Sequence, residues 1–284
     1  NHPSHYIDVN YKGTVNMLEN IKDLKLNSNI LIPGSGEEYG KIHENELPIT
    51  EESVLRPVNP YAVTKIAQDL IASVYHETYG TNVIRVRAFN HEGPRRDNVF
   101  GIPSFCHQIA KIEENLQQPI LKTGHIEDRR NFTHVRDMVE AYWLAIEKCT
   151  PGELYLIGSD EDDRIFTYRQ ILEKLIQLSK NKDISIEEEP DFVRPTSVPR
   201  LIGDTSKFRN ITGWKPKISI DKTLQDTLDY WRNFVKNDLK KFISEFNLDK
   251  NFIPNIDYNS TKKNYDKDEF KRVAKFYNFR SEEH

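Results

Sequence analysis

With 284 residues, 37% of them hydrophobic and 30% charged, the chain can bury one large core or two small ones. Its net charge of −4 excludes a broad basic field for nucleic acid. The two cysteines, Cys106 and Cys149, lie far apart with no C-x-x-C spacing, so neither a disulfide framework nor a zinc site is expected. No apolar run approaches the roughly 18 residues of a membrane span, and the first residues lack a signal-peptide core, which predicts a soluble, cytoplasmic protein.

Asn29 to Ile32 is a short apolar run ending at Pro33-Gly34-Ser35-Gly36, which predicts a buried strand running into a loop. Pro60 is a favoured first residue of a helix, and Ala62, Ile66, Leu70 and Val74 follow at helical spacing as far as Gly80, a natural C-cap. Val83 to Phe89 has the β-branched content and length of a strand. Helices are predicted at 104–116 and 135–148, a strand at 154–157, a helix at 167–178 and a short strand at 184–186. This alternation predicts an α/β fold with a parallel, helix-covered sheet. Leu224, Leu228, Trp231 and Val235 mark one more amphipathic helix. Residues 236–284, rich in Asn, Lys and Asp, then read as an appendage, either two short helices or a disordered tail.

Ser35 stands at the end of the first strand, and Tyr61 follows 26 residues later, with Lys65 one helical turn beyond it on the same face. A phenol of pKa about 10 is a poor acid-base group at neutral pH, and a lysine cation one turn away stabilises its phenolate. The serine can then hold a substrate oxygen. A second Tyr-x-x-x-Lys, Tyr258 and Lys262, follows no strand-end serine and reads as solvated surface. His2 and His5 have no third ligand nearby, so no metal is expected.

Four runs in order carry a family resemblance: Gly34 to Gly40 (GSGEEYG), Pro60 to Lys65 (PYAVTK), Arg87 to Pro94 (RAFNHEGP) and Arg194 to Pro199 (RPTSVP). They resemble the extended short-chain dehydrogenases, and within them the GDP-4-keto-6-deoxy-mannose reductases and GDP-mannose 4,6-dehydratases, over about residues 1–235. The resemblance implies a Rossmann-type parallel sheet with a small C-terminal substrate region. Residues 1–165 would hold the C-terminal half of the Rossmann-type domain with interleaved substrate segments, 166–235 the substrate-binding region and 236–284 the appendage. Family members open with a strand and a glycine-rich loop that receives the dinucleotide pyrophosphate. No such loop precedes Asn29. Roughly the first 70 to 80 residues of a typical member are therefore expected to be missing. The sheet is expected to be incomplete, lacking its N-terminal strands, with the strand near Ile30 at an edge, and tight NAD(P) binding by this chain is not expected.

The same resemblance implies roles. Tyr61 moves the proton on the C4 oxygen of a hexose while a nicotinamide exchanges hydride with C4, Lys65 tunes Tyr61 and bonds the nicotinamide ribose, and Ser35 orients the sugar oxygen. Tyr61, Lys65 and Phe89 are the cofactor-binding candidates. Glu37 matches the acidic position that removes the C5 proton in dehydratases. Asn90, Arg130 and Arg194 match positions that contact the sugar or diphosphate, where an arginine can grip phosphate through paired hydrogen bonds, and Arg95, on the same loop as Asn90, is a further candidate. The segments 124–137, 194–203 and 212–216 resemble the reductase pattern more closely, whereas Glu37 and the loop that begins at Asn90 lean to the dehydratase, so reduction of GDP-4-keto-6-deoxy-mannose is the favoured activity and 4,6-dehydration the alternative. A third reading is a truncated, non-catalytic chain that binds a GDP-sugar or a partner. The resemblance also implies a homodimer contact through the helix at 60–79.

Overall fold

The computed structural model describes residues 3–159, 164–192 and 200–245. These fall into two compact units that interleave along the chain, the first comprising 1–93, 124–171 and 190–223 and the second 94–123, 172–189 and 224–284. The breaks expected near residues 165 and 235 therefore do not coincide with the compact units, because segment 94–123 leaves the first unit and returns.

The first unit begins with a helical stretch in three parts: α1 (Pro3–Tyr6), a π-helical turn Ile7–Lys12, and α2 (Gly13–Asp23). Then come β1 (Ile30–Ser35), α3 (Pro60–Tyr79) and β2 (Val83–Ala88). A parallel pairing of β1 with β2 needs a crossover, and α3 supplies it. The strand β7 (Leu154–Ile157) adds in parallel on the far side of β2, giving the order β1-β2-β7. Among the described residues β1 is an edge strand, as the sequence led us to expect. It is longer than expected, since Pro33, Gly34 and Ser35 remain in register with Val86, Arg87 and Ala88, so Ser35 is itself the last strand residue.

Alternation along β2 sends Val83 to one face and Ile84, Val86 and Ala88 to the other. Val83 packs with Leu18 of α2, Ala72 and Tyr75 of α3, and Ile30 and Ile32. The opposite face is covered by α5 (Val135–Lys148), through Met138, Ala141 and Ala145, and by Phe208 of α7 (Ser206–Thr212) with Trp214. Helices on both faces of a parallel sheet are the predicted Rossmann-type arrangement. Short strands complete the unit: β3 (His91–Glu92) pairs with β6 (Thr133–His134), and β5 (Arg129–Asn131) lies between β8 (Ile165–Thr167) and β10 (Arg200–Leu201).

The α3 boundaries follow from local chemistry. Asn59 caps its start, the side chain accepting from Ala62 N at 2.8 Å, Pro60 occupies the first turn, and Gly80 ends it at φ 69°. Asn59→Ala is expected to destabilise the fold by about 1 kcal/mol, read from the urea midpoint.

The second unit contains α4 (Gly101–Glu113), the parallel pair β4 (Ile120–Thr123) and β9 (Ser185–Glu188), and most of two helices, α6 (Tyr168–Leu178) and α8 (Ile220–Glu245). Arg232 of α8 grips Glu113 of α4 with Nε at 2.8 Å and Nη2 at 2.7 Å, and His107, Trp231 and Phe234 pack ring on ring nearby. The helix α8 runs ten residues beyond Val235, so the polar stretch expected to begin an appendage at 236 starts as helix. Lys and Leu, good helix formers, carry it that far. The second Tyr258/Lys262 pair lies outside the described residues. Among the described residues no helix is long and apolar enough to cross a membrane, and no group of three or more His, Cys, Asp or Glu could hold a metal.

Candidate active site

Ser35 closes β1 with an extended backbone and immediately caps the short 3-10 turn Gly36–Tyr39, its Oγ accepting from Glu37 N at 3.2 Å. Glu38 answers by accepting from Ser35 N at 2.7 Å, so serine and turn hold each other. The next residue, Gly40, has φ 55°, and a Cβ there would collide with the Arg56 carbonyl, which explains the glycine that ends the motif.

The first turns of α3 come to the same end of β1. Lys65 Nζ donates to the Pro33 carbonyl at 2.9 Å, two residues before Ser35, and to Gln68 Oε1 at 2.8 Å. The same ammonium is 5.9 Å from the centre of the Tyr61 ring. Glu37 joins from the serine turn, its Oε2 accepting from Asn59 Nδ2 at 3.1 Å. Ser35, Glu37, Tyr61 and Lys65 thus belong to one neighbourhood made by β1 and the start of α3, and each is part-exposed. Burial lowers the Lys65 pKa, with the Glu38 carboxylate acting in the opposite sense.

The remaining candidates fall differently. Phe89 is buried among Tyr39, Ile49, Leu156 and Leu201, and Gly36, Gly158 and Gly203 lack side chains where its ring lies. Any cofactor contact from Phe89 would have to come from its backbone. Asn90 is half-buried just after β2, and its carbonyl accepts from Thr133 N. Arg130 is buried, with Nη1 donating to the Arg129 carbonyl at 2.8 Å and Nη2 3.5 Å from Asp128. Arg95 is exposed in the second unit with a left-handed φ of 73°. Arg194 lies outside the described residues.

A family model described as GDP-mannose 4,6 dehydratase matches residues 1–227. The chain belongs to the GDP-mannose 4,6-dehydratase family. Within this family of extended short-chain dehydrogenases it is similar to the GDP-6-deoxy-D-mannose reductase of Pseudomonas aeruginosa, at 32% identity over 236 residues covering 83% of this chain and 76% of the reductase. It is also similar to the GDP-mannose 4,6 dehydratase 2 of Caenorhabditis elegans, at 29% over 239 residues covering 79% of this chain and 62% of that protein. Among solved structures, RMD from P. aeruginosa complexed with NADPH superposes with a TM-score of 0.74 at 32% identity, covering 79% of this chain and 73% of the other. The dTDP-glucose 4,6-dehydratase of Bacillus anthracis in complex with NAD gives a TM-score of 0.67 at 28% identity, covering 80% and 68%. The chain spans about three quarters of the reductase and less than two thirds of the worm dehydratase.

Two sets of side chains escaped the sequence reading of this family member. The first ties the N-terminal helical stretch to α3: Asn10 Nδ2 donates to Thr64 Oγ1 at 3.0 Å, and Gln68 Nε2, whose carbonyl holds Lys65, donates to Thr14 Oγ1 at 2.8 Å. Asn10 and Thr14, like Thr64 and Gln68, stand four apart, and two such polar pairs on neighbouring helices were the signal available. The second set is the buried ions Glu38, Asp69 and Arg87. Burial pushes the Glu38 carboxyl up to about 7 against the pull of Arg87 and Lys65. The native state therefore holds this proton more tightly than the unfolded chain, so Glu38 makes stability fall as pH rises from about 4.5 towards about 7. Urea midpoints of wild type and Glu38→Gln at about pH 5 and about pH 8 check this: the wild type should lose more on going to the higher pH.

Proposed function

We propose that this chain carries the catalytic part of an NAD(P)-dependent GDP-sugar oxidoreductase that reduces the C4 keto group of GDP-4-keto-6-deoxy-mannose. The observation that carries the reading is the Lys65 ammonium, anchored on the Pro33 carbonyl at the serine end of β1 and set against the Tyr61 ring. A carbonyl polarised by the Ser35 hydroxyl would take its proton from the Tyr61 hydroxyl, and the neighbouring ammonium would stabilise the phenolate left behind. Lys65 suits a nicotinamide ribose as well, since two of its three N–H groups go to Pro33 and Gln68 and the third can serve a ribose hydroxyl. A nicotinamide dinucleotide, when bound, would supply the hydride. The similarity to the P. aeruginosa reductase over 83% of the chain supports the substrate class.

Glu37 supports a second reading, GDP-mannose 4,6-dehydration. Its carboxylate is oriented by Asn59 beside the serine turn, where a base for the C5 proton would be required. Incubating the full-length protein with NADPH and GDP-4-keto-6-deoxy-mannose, or with NADP and GDP-mannose, and identifying products by NMR separates the two. A 6-deoxy sugar reduced at C4 from the first mixture supports the reductase, a 4-keto sugar from the second the dehydratase, and no turnover in either sinks both in favour of a non-catalytic binding role.

The proposed location is the cytoplasm, consistent with two buried free cysteines. The proposed assembly is a homodimer through α3, which leaves Val63, Leu70 and Val74 about half exposed at helical spacing. Leu70→Asp with Val74→Asp is expected to halve the mass seen by sedimentation, and an unchanged mass would remove α3 from the contact.

A further inference from the structure

Beneath the serine turn, charged side chains from three elements meet out of reach of water: Glu38, Asp69 and Arg87 are 0%, 2% and 4% exposed. Arg87 of β2 is the hub. Its Nη2 lies 2.5 Å from Asp69 Oδ2 on α3, its Nη1 donates to the Tyr39 hydroxyl at 2.9 Å, and its Nε stands 2.9 Å from Glu38 Oε2, off the hydrogen-bonding direction. Arg85 adds a 3.5 Å approach to the other oxygen of Asp69. The strand alternation that puts Ile84 and Val86 against α5 turns both arginines towards α3.

The placement of the two acids ties this cluster to the site. Glu38 is three residues after Ser35 and accepts its backbone N–H, while Asp69 is one helical turn after Lys65 and two after Tyr61. One guanidinium therefore links the turn that carries Ser35 to the helix that carries Tyr61 and Lys65. Room is made for it: a Cβ on Gly34 would strike the Glu38 carboxylate and come within 3.0 Å of the Val86 carbonyl. Burying three ions is a poor way to gain stability, because desolvation consumes most of what the pairing returns. The bonds of Arg87 to Asp69 and to the Tyr39 hydroxyl, which lies in the serine turn, are directional, and such contacts can hold two elements at one separation and one rotation.

We propose that Arg87, with Glu38 and Asp69, forms a set of positioning residues that fixes the Ser35 turn relative to Tyr61 and Lys65. The proposal rests on the catalytic reading of those three residues. Glu38→Gln and Asp69→Asn test it in the full-length protein, since each keeps the shape and an acceptor oxygen but removes the charge, and folding is confirmed by circular dichroism. Each is expected to lower kcat about 10- to 100-fold while KM for the sugar nucleotide stays within about twofold, because a misplaced catalytic group loses rate rather than ground-state binding.

The second readout needs no turnover. With 13Cε-labelled lysine and the Lys65 signal assigned through Lys65→Arg, the Lys65 titration midpoint is expected to move down in Glu38→Gln, since the carboxylate that supports the cation is gone. Both changes are required. A kcat within about twofold of wild type, a KM that rises in step with the loss, or an unmoved lysine midpoint each overturns the proposal, whatever happens to the melting temperature. If the wild type turns over neither GDP-sugar, the functional reading fails by itself and the lysine titration alone decides the positioning role.

Discussion

Tyr61→Phe is expected to lower kcat/KM by about a thousandfold, within the range that loss of a placed acid-base group produces. The change deletes one oxygen and keeps the ring, whose edge contact with Tyr6, with centroids 5.8 Å apart, is indifferent to the hydroxyl. Melting temperature and sugar-nucleotide affinity should therefore stay near wild type. That combination separates a chemical role from a packing one, since a tyrosine that only packed would lose little of either. Single-turnover measurement of NADPH oxidation with the 4-keto sugar checks it, and a loss of less than about tenfold would remove Tyr61 from the chemistry.

The largest expected loss of stability follows Arg87→Leu, at about 3 to 5 kcal/mol. Leucine cannot answer either Glu38 or Asp69, and both carboxylates are left in a site with almost no exposure. Reaching the unfolded state relieves both at once. Replacing Glu38, Asp69 and Arg87 together by apolar residues of similar volume should recover most of that loss, because the burden lies in the orphaned charges and not in the absence of the pair. Urea titrations of the single and triple variants check this, and equal midpoints would mean that the acids find other partners.

The parts of the molecule that local rules control were legible in the sequence. Pro60, Gly80 and the apolar spacing between them marked α3 to the residue, and the alternation of runs gave the parallel sheet with helices on both faces. That Ser35, Tyr61 and Lys65 would meet at one end of β1 was readable because their strand, turn and helix order is local. Short strands such as His91–Glu92 and Arg200–Leu201 carry too few residues to show a period, and only their partners define them. The burial of Arg130 and of the Glu38, Asp69 and Arg87 cluster was hidden for a different reason. A charged letter in a sequence suggests solvent, and only long-range packing reveals that these three meet inside. The division into compact units was equally invisible, since segment 94–123 differs little in composition from its neighbours.

The π-helical turn Ile7–Lys12 takes up one residue without turning what precedes it. Its signature bond, Gly13 N to the Asp8 carbonyl, spans five residues instead of four, so the stretch holds a residue more than a regular helix of that height would. Deleting one residue there would let the stretch close as a regular helix of the same height, so Tyr6 should stay against the Tyr61 ring it now abuts. The helix thus carries one residue it could lose without moving the ring packed on Tyr61.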